Sequence, residues 1–194
     1  IAIMRVLPNM TVLSPCDATQ TKLATIASVE QVAGPAYIRF GREPVPDFTS
    51  EDLIFEVGKG QTFKEGKDLT IIATGHLVWE ALQAAYGLEK ENMNVRVINI
   101  HTIKPIDKDI IIKAAKETGA IITAEEHQIY GGLGSAVAEV LVKFAPVSVY
   151  MIGIDDQFGE SGQPDELMEK YGLKSGNMMH IARELMKNKE NNKK

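Results

Sequence analysis

Cysteine is almost missing from this chain. Cys16 is the single thiol among 194 residues, so neither an internal disulfide nor a zinc ribbon can form, and a reducing compartment, the cytoplasm, is expected. Positive charge is also in short supply. The 21 Lys and Arg are outnumbered by 26 Asp and Glu, giving a net charge of −5, which provides no basic footprint for nucleic acid or an acidic membrane. Long apolar runs are absent too: nothing approaches the roughly 20 residues of a membrane-spanning helix, and "IAIMRVLPNM" lacks the basic, apolar and small-residue order of a signal peptide. The first residue is Ile rather than Met, and a natural start further upstream is expected. What is present is an ordinary globular composition, 44% hydrophobic and 24% charged, enough for one good core or one core plus a fragment. Small-molecule chemistry fits this balance best.

The pattern of apolar residues divides the chain into two blocks. The first reads strand, helix, strand: "MTVLS" at 10–14, an amphipathic run from Asp17 to about Val32 with Asp17 as N-cap, and "PAYIRF" at 35–40. Two strands and one helix cannot exclude enough water to stand alone, so this block is expected to be the end of a larger domain. From Gly41 to Asp68 the composition turns to Gly, Pro and charge, with one short strand predicted at "IFEVG"; this reads as an interdomain linker. Regular alternation follows: "LTIIAT", "VRVINI", "AIITAE" and "VSVYMIGI" as strands, separated by three amphipathic helices. Nearly continuous apolar strands joined by helices predict a doubly wound, mostly parallel α/β sheet covered on both faces. Two closing helices are predicted, the first with Pro164 at N1, acids in its first turn and Gly172 at C′, the second after Asn177, with a solvated tail beyond about Met186. There is no internal repeat.

In a parallel sheet, ligands gather outside the carboxyl ends of the strands. Polar residues collect there in this chain: His76, His101, the trio Glu125, Glu126 and His127, and Asp155 with Asp156. They suggest a metal site or an acid–base pair, but strand-to-helix loops carry polar residues simply to cap helices. No HxH or HxxxH pair enforces ligation, so no metal ligand and no catalytic residue is assigned. The glycines of "YGGLGSAV" also fail as a dinucleotide fingerprint, since Val137 stands where the third Gly or Ala belongs, and no Lys-Ser/Thr pair makes them a P-loop. They read as architectural, and Trp79 as helix core.

Several segments together carry a resemblance. "LPNMTVLSPCDATQ", "GPAYIRFGREPVP", "LTIIATGHLVWEAL", "INIHTIKPID", "AEEHQIYGGLGSAVAEVL" and "DDQFGESGQPDELMEKYGL" resemble the C-terminal part of transketolases, across nearly the whole chain. "FGESGQPDELMEKYGL" is the most specific piece, and "HTIKPID" the one most widely shared among thiamine diphosphate enzymes of this group. The resemblance implies an α/β chain in which residues 1–47 end a pyrimidine-binding domain, 48–65 are a linker, 66–188 form the transketolase C-terminal domain and 189–194 are a disordered tail.

It further implies a transferase of the pentose phosphate pathway that moves a two-carbon ketol unit between sugar phosphates, with thiamine diphosphate and Mg²⁺ held mainly by residues outside this chain. The partners implied are sugar phosphates, a homodimer mate and an N-terminal transketolase subunit, with no nucleic acid or membrane; the chain alone would be inactive. One residue maps onto a family role: Arg42, in the position of the arginine that binds the substrate's terminal phosphate, although Gly41 and Glu43 stand where serine and glutamine are usual. Its alternative is an ion pair with Glu43 or another linker acid. Arg39 is expected to point to the other side of the strand or to pair locally. Competing resemblances are 1-deoxyxylulose-5-phosphate synthase, disfavoured by "FGESG", the β subunits of 2-oxoacid dehydrogenases, which fit less well, and a non-catalytic assembly or regulatory module.

Overall fold

The computed structural model describes residues 1–191. A short helix α1 (Ala2–Val6) leads to strand β1 (Thr11–Leu13), buried throughout, and then to helix α2 (Ala18–Glu30). Asp17 caps α2 as expected, its carboxylate accepting from Gln20 N at 2.8 Å. The same carboxylate also accepts from Phe48 N, Thr49 N and Thr49 Oγ1 at 2.7–3.0 Å. One buried acid therefore both starts a helix and straps down the segment that follows strand β2 (Ala36–Ile38), which pairs parallel to β1.

That segment is packed rather than free. Phe55 is buried with its ring stacked on His101, centroids 4.0 Å apart, and Phe48 lies 5.4 Å from the Trp79 ring. No strand forms at "IFEVG"; the strand here is β3 (Gln61–Lys64), three residues later. Phe55 and Val57 are spent on covering α2, where Phe55 meets Leu13, Ala24 and Ala27, while Ile54 is exposed.

The regular block begins at β4 (Leu69–Ala73), followed by α3 (Leu77–Glu89), β5 (Val95–Asn99) and β6 (Thr102–Lys104). Then come α4 (Lys108–Thr118), β7 (Ala120–Gln128), α5 (Leu133–Phe144), β8 (Ser148–Ile154), α6 (Pro164–Lys170) and α7 (Ser175–Asn191). The main sheet has the order β3-β5-β4-β7-β8, with β5, β4, β7 and β8 parallel and β3 an antiparallel edge. The two faces of β4 follow from strand alternation. Leu69, Ile71 and Ala73 point toward α3 and α7, whereas Ile72 joins Ile98 and Ile121 beneath α4 and α5.

A three-residue strand escaped the sequence pattern and decides how the blocks are joined. β6 leaves the regular block and pairs antiparallel to β1, making a second sheet of order β2-β1-β6. The junction is reinforced by backbone bonds from Ser14 N to the His101 carbonyl at 2.8 Å and from Gly75 N to the Ser14 carbonyl at 3.2 Å. At the far end, Pro164 and the first-turn acids of α6 fall as expected, with Gly172 just past its end at φ +67. α7 starts at Ser175, ahead of Asn177, and stays helical past Met186 to Asn191; the rest of the predicted tail, 192–194, lies outside the described residues.

Candidate functional site

The carboxyl ends of β4 and β7 are neighbours, with one crossover leaving β4 toward β5 and the next arriving at β7 on the other side. Chains diverge at such a point and leave a crevice. Here it is a groove of about 870 Å³, lined by the 41–46 loop, His76, Trp79, Glu126 and the α6 segment. That volume lies within the range of small-molecule sites. Trp79, expected in the helix core, is instead half-buried against Phe48 and forms part of the groove wall.

Arg42 lies on this groove. It is exposed, and its guanidinium has no hydrogen bond or ion pair with another described residue. The alternative pairing with Glu43 is not formed. The other cation of the groove, Lys174, is engaged: its Nζ is 2.7 Å from Asp165 and 3.3 Å from Glu80. A free planar guanidinium has the chemistry to pair with an oxyanion such as phosphate.

Arg39 does not pair locally. Its Nη2 donates to the Glu126 carbonyl at 2.8 Å and to Glu126 Oε2 at 3.0 Å, across 87 residues of sequence. His76 Nδ1 lies 3.5 Å from the same carboxylate oxygen. Burial lowers the His76 pKa, with Glu126 opposing, so the ring is neutral near pH 7. Sequence inspection placed His76 and Glu126 at strand ends but gave no sign that Arg39 would reach them.

The remaining polar residues go elsewhere. Glu125 is fully buried, and its two oxygens accept from Leu133 N at 2.7 Å and Gly134 N at 2.8 Å, capping the first turn of α5. Gly132 makes this possible, because a side chain there would collide with the Glu125 carboxylate. The stretch "EEHQIYGGLG" is thus chiefly a helix-capping device: its first four residues lie on an elongated β7, residues 129–132 make the turn, and the last two open α5. His101 is buried under Phe55, its Nδ1 3.0 Å from Thr102 Oγ1. Asp156 accepts from Gln128 Nε2 at 3.2 Å at the surface.

Residues 58–178 match the family model described as the transketolase C-terminal domain. The chain belongs to the transketolase family. It is 41% identical, over 97% of its length, to the 6-deoxy-6-sulfo-D-fructose transketolase subunit SqwH of a Clostridium species, and 42% identical, over 96%, to a subunit of the apulose-4-phosphate transketolase of Phocaeicola vulgatus. It spans 58% and 60% of those two relatives. A 1-deoxy-D-xylulose-5-phosphate synthase of Heliobacterium modesticaldum is 37% identical over 95% of the chain, which covers 29% of that relative. Among solved structures, a chain of a split-gene transketolase in an inactive β4 tetramer superimposes with a TM-score of 0.92 at 47% identity, covering 96% of this chain and 61% of that one.

The transketolase family implies thiamine diphosphate, usually with a divalent metal. The described residues do not fit the metal. Among the described residues no three His, Cys, Asp or Glu side chains converge as a metal would require. The acids nearest the sheet's carboxyl edge are committed, Glu125 to two backbone N–H groups and Glu126 to Arg39. No helix among the described residues is long and apolar enough to cross a membrane.

Proposed function

We propose that this chain is the C-terminal portion of a split, thiamine diphosphate-dependent transketolase that moves a two-carbon ketol unit between sugar phosphates. It works only with an upstream domain or N-terminal subunit, which holds the cofactor and Mg²⁺. The reading is carried by the unpaired Arg42 guanidinium on the groove, in a chain that aligns over 96% of its length with a split-gene transketolase chain. Subunit names among the relatives support a division of the enzyme between polypeptides. The bound cofactor supplies the electron sink for carbon–carbon bond cleavage. This chain supplies scaffold and phosphate grip, in a self-associating complex of the cytoplasm.

The test is a ketol-transfer assay with thiamine diphosphate and Mg²⁺, run on this chain alone and then mixed with a candidate N-terminal subunit. Activity is expected only in the mixture. Turnover by the chain alone would overturn the division of labour. A second reading, a portion of a 1-deoxyxylulose-5-phosphate synthase, draws on the 37% identity to that enzyme. Formation of 1-deoxyxylulose 5-phosphate by the same mixture, read by mass spectrometry, would favour it.

A further inference from the structure

Glu126 touches both elements that flank the Arg42 loop. On one side, Arg39 is held by the carbonyl and the carboxylate of Glu126, at 2.8 and 3.0 Å, while its own backbone N donates to the Leu13 carbonyl at 2.8 Å. Its guanidinium lies over Gly75, where a Cβ would approach Arg39 Nη1 to 3.7 Å and Ser14 Oγ to 3.2 Å at a φ of +57. A larger residue at 75 would therefore press on Ser14 Oγ and strain the backbone, while meeting the arginine only at ordinary contact distance. On the other side, the carboxylate lies 3.5 Å from His76 Nδ1, and the His76 ring stands next to Gly41, 3.5 Å from where a Cβ on that glycine would lie. The carboxylate thus holds residue 39 directly and borders residue 41 through the His76 ring, and residue 42 follows immediately.

The ends of three strands meet here: β2 through Arg39, β4 through His76 and β7 through Glu126. Without the carboxylate, Arg39 keeps one bond to a carbonyl, and His76 loses its charged neighbour. The loop would then hold Arg42 in many orientations, and ordering it would have to be done by the ligand at a cost in affinity. We infer that Glu126 is a positioning residue, joining Arg39 to His76 so that the 40–46 loop presents Arg42 in one orientation to the phosphate of a phosphorylated sugar. This rests on the reading of Arg42 as the phosphate grip. Although Glu126 also lines the groove, the role inferred for it is exerted through the loop.

The experiment uses the assembled enzyme, this chain with its N-terminal subunit, thiamine diphosphate and Mg²⁺. For the parent, Glu126→Gln, Arg42→Ala and the double variant, kcat/KM is measured with a phosphorylated aldose acceptor and with its unphosphorylated counterpart. Glu126→Gln keeps shape and volume, so the fold is retained; Arg39→Lys, which loses the fork but keeps the charge, is the second probe. The ratio of kcat/KM for phosphorylated over unphosphorylated acceptor is expected to fall about tenfold in Glu126→Gln, through KM, as for loss of one charge-assisted contact. The double variant is expected to be no worse than Arg42→Ala alone, because residues acting through one group are non-additive. An unchanged ratio in Glu126→Gln beside a reduced one in Arg42→Ala overturns this inference alone. Equal losses for both acceptors, or full additivity in the double variant, overturn it too, by showing a merely structural role. If the parent mixture transfers no ketol unit, or Arg42→Ala matches the parent, the reading of the site falls and the inference falls with it.

Discussion

At the scale of single residues, the contrast between Arg42 and His101 shows how position decides a side chain's task. Arg42 is exposed on a groove with no partner among the described residues, so its charge is available to a ligand. Arg42→Ala in the assembled enzyme is expected to cost about 1.5 to 3 kcal/mol in kcat/KM for phosphorylated sugars, the worth of one charge-assisted contact; steady-state kinetics with and without the substrate phosphate measure it. His101, also at a strand end, is shut away beneath Phe55, and burial depresses its pKa from 6.5 to about 4. A depressed histidine stabilises the fold above the unfolded-state pKa, and that contribution is lost as pH falls from 6.5 through about 4. The difference corresponds to about 3 kcal/mol. His101→Gln should accordingly show a smaller loss of stability than the parent across that window, measured by urea unfolding as a function of pH.

At the scale of elements, buried acids organise two helices. Glu125 caps α5 from a neighbouring strand, and burial raises its pKa from 4.5 to about 7 against the two N–H bonds that lower it. The folded state then holds the proton more tightly than the unfolded state. The resulting stability is complete below about pH 4.5 and is lost as pH rises through about 7. In Glu125→Gln this component disappears. His101 drives the opposite trend over part of the same range, so each effect is read as the difference between parent and variant profiles. Asp17 holds α2 and the 48–49 backbone with four contacts. Asp17→Ala leaves several donors unpaired, and a loss of about 3 kcal/mol is expected in chemical denaturation. If Asp17→Ala cost only the roughly 1 kcal/mol of an ordinary N-cap, the strap on the linker would contribute nothing to stability.

At the scale of the whole molecule, β6 sews the two blocks together by leaving one and pairing with β1 of the other. With Phe55 and Phe48 packed along the connecting segment, the described residues share contacts from end to end. Thermal unfolding of the chain should be one transition, with calorimetric and van't Hoff enthalpies equal; two resolved transitions would show that the blocks melt separately. Much of this architecture was legible beforehand. The alternating apolar strands and amphipathic helices specified a mostly parallel sheet, the Asp17 and Pro164 signals placed helix starts, and the segments around "FGESGQPDEL" and "HTIKPID" pointed to the family, because periodicity, capping and motif are local properties of the chain. The strand at β6, the packed linker and the union of Arg39, His76 and Glu126 were not legible. β6 is too short to show a period, the apolar residues at 54–57 look alike whether they form a strand or cover a helix, and nothing in the residues near Arg39 reveals a partner 87 positions away. The sequence alone determined most of the regular elements and the family they resemble; which side chains meet at the carboxyl edge was decided only when the sheet brought three distant strand ends together around the Glu126 carboxylate.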